Sequence, residues 1–147
     1  MQIFTVCMEC LRELGHPSFE PYVGQYFDDR IAYVECSRGH KSAVLVQSQK
    51  FEVSLESGAN ALIAGFTLEA ASSFSAALER FYEFCIEVIA IRRKMPREVY
   101  DQMFKTMARQ SERQMGAFLA LYAVELGAAY VPDPKITEFR NAVIHKG

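Results

Sequence analysis

Two sets of side chains in this chain could do chemistry by their type and spacing. The first is Arg140, Asn141 and His145, in the closing run Glu138-Phe139-Arg140-Asn141-Ala142-Val143-Ile144-His145. Histidine titrates near neutral pH and can move protons. Arginine stays charged and presents a fork of donors that suits a phosphate. On a helix, Asn141 and His145 are four apart and share a face. Arg140 lies beside that face, about 100° from Asn141. The second set is Cys7-x2-Cys10 and Cys36-x3-His40, with 25 residues between the pairs. Two close pairs of thiolate and imidazole ligands are what a tetrahedral zinc site requires. Four protein ligands close such a site, so a zinc here is structural and not catalytic. His16 is the rival fourth ligand, but it lies in an irregular stretch without a paired partner. Cys85 falls on an apolar helical face and reads as core.

The elements that must position these residues change character near residue 57. Residues 1–56 read as strands and loops. Ile31–Glu35 and Ser42–Val46 are rich in β-branched and aromatic residues and flank Ser37-Arg38-Gly39-His40, which predicts a hairpin with a knuckle at its tip. Gly15, Pro17, Pro21 and Gly24 make the preceding stretch irregular. Gln47 to Leu55 reads as an extension of the second strand or a linker. From Ser57 the period is helical. A short helix at about 58–64 precedes Gly65. Phe66, Ala70, Phe74, Leu78, Phe81, Cys85, Val88 and Ile91 mark one face of a long helix over 67–93. A second long segment runs from Pro96 to Leu126, with a bend expected around Arg109–Arg113 or Gly116, and Gly127 caps it. Pro132 and Pro134 force a turn, and a last helix starts near Ile136 and carries Arg140, Asn141 and His145. Glu79 and Arg80 interrupt a nearly apolar run, so a charge there needs a partner.

The Arg-Asn-x-x-x-His ending resembles the signature of the HEPN superfamily. The runs Ala64-Gly65-Phe66-Thr67-Leu68-Glu69-Ala70 and Ala77-Leu78-Glu79-Arg80-Phe81-Tyr82-Glu83-Phe84 resemble the first long helix of some of its members. The resemblance spans residues 58–147. The Gly39-His40 pair after Cys36 resembles the second knuckle of zinc ribbons. The fold class expected is α+β, mostly α: a zinc-ribbon-like module over 1–56, then a HEPN-like antiparallel helical bundle over 57–147. The resemblance implies a metal-independent endoribonuclease, of the kind found in phage defence and toxin systems. His145 would act as general acid or base, Arg140 would hold the phosphate, and Asn141 would position the substrate or fix the His145 ring. Glu79 and Arg80 are the candidates for support. It also implies an RNA substrate and a homodimer whose two His145 residues share a cleft. The sequence stops two residues after His145, where this bundle usually adds a helix, so a partner chain or further segment is expected to complete it. The competing class is a non-catalytic module for protein or nucleic-acid binding and assembly.

Composition sets the outer limits. Half of the 147 residues are hydrophobic, enough for a core. No run of 18 uncharged apolar residues predicts a membrane span, and no signal peptide is read at the start. The expected location is the cytoplasm, where cysteines more often bind metal than pair. The net charge of −2 excludes a polycation, so RNA would have to meet a local basic patch.

Overall fold

The computed structural model describes residues 2–23, 30–136, 138 and 142. The chain forms two compact units, residues 1–48 and 49–147. It is mostly helical, with small antiparallel sheets.

The N-terminal unit runs β1 (Gln2–Val6), α1 (Met8–Leu14), β2 (Phe19–Val23), β3 (Ile31–Glu35) and β4 (Lys41–Leu45). β1 pairs antiparallel with β2, and β3 with β4. The hairpin agrees with the expected one to within a residue. Its register sets Tyr33 opposite Ala43 and Val34 opposite Ser42. Ala32 and Val34 point inward, while Tyr33 and Glu35 point out, as a period of two requires. The stretch expected to be irregular contains α1 and β2. Gly15 ends α1 in the left-handed region (φ 74°) and its N–H bonds to Leu11 O, a turn that glycine adopts without steric cost.

The second unit begins earlier than residue 57. Its first helix, α2, spans Lys50–Ile63, so residues expected as strand or linker are helix. Gln49 caps α2, with its side chain on the backbone of the third residue and Glu52 returning a bond of 2.6 Å to the Gln49 N–H. That reciprocal box satisfies two otherwise orphaned donors. Gly65, at φ 85°, turns the chain into α3 (Thr67–Arg92). The long segment expected over 96–126 is two helices, α4 (Arg97–Met107) and α5 (Ser111–Leu126). Polar side chains make the break. Gln114, buried, donates to Ala108 O at 3.0 Å, and Arg113 donates to Thr106 O at 3.0 Å. These bonds satisfy carbonyls that a continuing helix would have used. Gly127 (φ 66°) caps α5 as expected.

The helices run up and down. Phe51 of α2 meets Phe81 and Phe84 of α3, both with ring centroids 5.4 Å apart, while Gly58 lies against Phe74. Those pairings make α2 and α3 antiparallel. Arg97 pairs with Glu87, so α4 starts beside the end of α3 and runs back. Phe118 stacks on Tyr82, at 4.9 Å, and Glu125 meets Arg92 and Arg93, so α5 follows α3 in parallel. The core is Tyr82, Ile86, Ala90, Tyr100, Met107 and Phe118. Along the expected face of α3, Ala70 is buried and Leu78, Phe81 and Cys85 pack against the core, while Val88 and Ile91 are exposed; the buried Tyr82, Ile86 and Ala90 lie beside that face. α3 carries apolar residues nearly all round, so periodicity alone could not choose among them. Among the described residues, no helix is long and apolar enough to cross a membrane.

Candidate metal centre

Cys7 is the residue on which β1 ends and α1 begins. It caps the helix in an extended conformation, and its carbonyl accepts the Leu11 N–H at 3.0 Å. Cys10 follows in the first turn, three residues on, so both thiols leave the same face. The first pair therefore sits at a strand-to-helix junction and not at a second hairpin knuckle. The other pair does form a knuckle between β3 and β4. Gly39 N–H bonds to Cys36 O at 2.8 Å, and Cys36 N–H to His40 O at 3.0 Å. Gly39 sits at φ 83°, so a side chain there would be strained.

Folding brings the four residues together. The ligating atoms of Cys7, Cys10, Cys36 and His40 all lie within 4.8 Å of one another. Cys10 Sγ is 3.8 Å from Cys36 Sγ and 3.4 Å from His40 Nδ1, and Cys7 Sγ is 3.7 Å from the same nitrogen. A tetrahedron with metal–sulfur bonds of about 2.3 Å has edges of about 3.8 Å. The cluster therefore fits a metal ion of that size. His40 is the imidazole of the set, and His16 is exposed and outside it.

The electrostatics suit thiolate ligation unevenly. Burial pushes the Cys10 thiol up to about 11, helped by the Cys7 and Cys36 thiols beside it. Burial also acts upward on Cys36, but backbone N–H groups of His40 and Arg38 favour its thiolate and bring it down to about 7. The His40 N–H lies 3.3 Å from Cys36 Sγ. Cys85 is half-buried beside the helical core, as its apolar position implied.

No family model, curated protein or solved structure matches this chain.

Arg140, Asn141 and His145 lie outside the described residues. Arg80 is exposed and pairs with Glu83 at 2.6 Å, an ordinary helix-surface ion pair. Glu79 lies in the wall of a cleft with Tyr82, Met115, Tyr130 and Ile136. Met115, Phe118 and Tyr122 pack in the helical unit's own core, with Phe118 3% exposed. Arg92 and Arg93 hold Glu125, and Arg97 holds Glu87 and Asp101.

One polar side chain beside the thiol cluster escaped sequence reasoning. Glu13 of α1 places one carboxylate oxygen 3.4 Å from His40 Nε2 and the other 3.0 Å from the Arg38 guanidinium. Its only signal is position: it falls three residues after Cys10, on the helix face that Cys10 uses.

Proposed function

We propose that Cys7, Cys10, Cys36 and His40 bind one structural zinc, and that the chain joins this zinc module to a HEPN-like helical domain acting as a metal-independent endoribonuclease. The observation that carries the zinc reading is the approach of three thiols and one imidazole nitrogen to within 4.8 Å. Three soft sulfur ligands and a nitrogen in tetrahedral spacing suit zinc before other divalent ions. Four ligands leave no open position, which assigns the metal to folding. The ribonuclease reading rests on the Arg140-Asn141-x3-His145 spacing. Glu79 supports it by its place in the cleft that Ile136 also lines, four residues before Arg140 in the chain. His145 would exchange the proton of a ribose 2′-hydroxyl attacking the neighbouring phosphate. Arg140 would bind that phosphate and stabilise its growing charge. Asn141 would position the substrate. A homodimer that sets two His145 residues on one cytoplasmic RNA is part of the same reading.

The experiment is RNA cleavage by zinc-loaded protein with no other metal, EDTA being added at the start of the reaction. Cleavage should leave 2′,3′-cyclic phosphate ends and spare DNA, which lacks the nucleophile. His145→Ala and Arg140→Ala should each abolish it. Cutting that survives both substitutions would show that the motif is not the active site.

A second reading has its own observation. With Arg92, Arg93 and Arg97 engaged by carboxylates, the helical surface offers RNA fewer free cations than the sequence suggested. An inactive wild-type protein that still forms stable complexes with another protein would favour a non-catalytic assembly module.

A further inference from the structure

His40 turns Nδ1 toward the thiols, 3.4 Å from Cys10 Sγ and 3.7 Å from Cys7 Sγ. Nε2 therefore faces away, and Glu13 stands at that side of the ring with Oε1 3.4 Å from it. The other carboxylate oxygen lies 3.0 Å from Arg38 Nη2. Two segments converge at this point. Glu13 comes from α1, on the face that carries Cys10, and Arg38 comes from the knuckle between Cys36 and His40. A ligating imidazole must be neutral with its lone pair on the metal-facing nitrogen, so for Nδ1 to ligate the proton must sit on Nε2. A carboxylate that accepts the Nε2 proton fixes that tautomer, orients the ring and makes the ligating nitrogen more basic.

We propose that Glu13 is the positioning residue of the metal centre: it accepts the Nε2–H of His40, with Arg38 holding its other oxygen, and so presets Nδ1 as the ligating atom. This rests on the metal-binding reading above. Glu13 is not itself a ligand, because the His40 ring stands between its carboxylate and the thiols. Arg38 has a definite part. It anchors the carboxylate from the knuckle side, so that helix and knuckle are joined by a charge-assisted pair as well as by the ion.

The test uses the full-length protein, zinc and a competing chelator. Glu13→Ala should weaken zinc binding roughly 10–100-fold. A residue that merely stabilised α1 would weaken binding whatever the fourth ligand is. The decisive variant is therefore His40→Cys, which keeps four ligands and removes the imidazole. In that background Glu13→Ala should leave zinc affinity unchanged. A second measurement needs no folded His40→Cys protein. Nitrogen-15 spectra of the zinc-loaded wild type should show the His40 proton on Nε2, and its exchange with water should accelerate in Glu13→Ala. Undiminished affinity in Glu13→Ala, an equal loss in the His40→Cys background, or a proton on Nδ1 overturns the role of Glu13 while leaving the metal site standing. A wild type that binds neither zinc nor cobalt overturns the metal site and this role together.

Discussion

Gly58 of α2 faces the ring of Phe74 on α3 so closely that a Cβ built at Gly58 would lie 2.7 Å from two ring carbons. Real Cβ atoms do not approach so near, and the ring carbon nearest the backbone, Cγ, is also within 3.2 Å. Gly58 is buried, and it sets the spacing of the α2–α3 hairpin.

The first prediction follows from that spacing. In an exposed helix, Gly→Ala gains about 1 kcal/mol. Overpacking costs about 1–3 kcal/mol. At 2.7 Å the packing cost should win, so Gly58→Ala should lower the stability of the helical unit by about 1 kcal/mol. Combining it with Phe74→Leu, which retracts the ring, should recover part of the loss in thermal melts. An Ala variant more stable than the wild type would show that the hairpin opens without cost.

A second prediction concerns Glu125. Its side chain is 7% exposed and meets Arg92 at 2.8 Å and Arg93 at 2.6 Å, while both arginines are largely exposed. Removing the carboxylate leaves two cations that water can reach, so Glu125→Ala should cost roughly 1 kcal/mol. Removing both arginines leaves a buried charge unpaired, which costs roughly 3 kcal/mol or more. Denaturant unfolding should therefore rank the Arg92→Ala/Arg93→Ala double variant below Glu125→Ala. The reverse order would mean that the carboxylate is well hydrated.

Tyr100 gives a prediction about pH. Burial, aided by the negative charges of Glu87 and Glu83, raises its hydroxyl from 10.0 to about 12. Between those values the unfolded chain has lost a proton that the folded chain keeps, so stability falls as pH rises. The contribution is complete below about pH 10 and is lost as pH passes the folded value of about 12. Tyr100→Phe should flatten the alkaline limb of the stability curve. An unchanged limb in that variant would assign it to other groups.

Metal loading should be visible in protons. With the Cys10 thiol at about 11, it is protonated at pH 7 in the metal-free protein and must release that proton to ligate. Cys36, at about 7, is already half ionised there. Calorimetry in two buffers of different ionisation enthalpy should find at least one proton released per zinc at pH 7, and affinity should fall as pH falls. Cys36→Ser should abolish the structure of residues 1–48 and leave the helical unit folded, because each has its own core. Zinc uptake without proton release would place the ligands elsewhere.

Much of this was legible where the signal is local. Cys7, Cys10, Cys36 and His40 announce themselves by close spacing, and Gly65 and Gly127 mark turns that only glycine adopts freely. The start of α2 was hidden for a definite reason. Phe51, Val53 and Leu55 alternate like a strand, and its cap is Gln49, a residue outside the usual capping set. The break between α4 and α5 falls at 108–110, beside the polar run Arg109–Arg113 where a bend is expected, with no proline or glycine to fix it. It is made by Gln114 and Arg113 reaching back to carbonyls of the preceding turn. Glu13 drew no notice in the sequence, because its partners Arg38 and His40 lie more than 20 residues away and only the folded chain brings them near.

The buried cluster of residues 1–48 comprises Cys7, Cys10, Tyr22, Ala32, Val34, Cys36 and Val46. Three of these seven are also the thiols of the metal centre, so core and binding site share side chains. Releasing an ion held there means parting three side chains of that core. Its residence time should then equal the waiting time for the unit to open, and isotopic zinc should exchange no faster than the slowest amide protons of β3 and β4. For such a module, how long the metal stays is a folding rate.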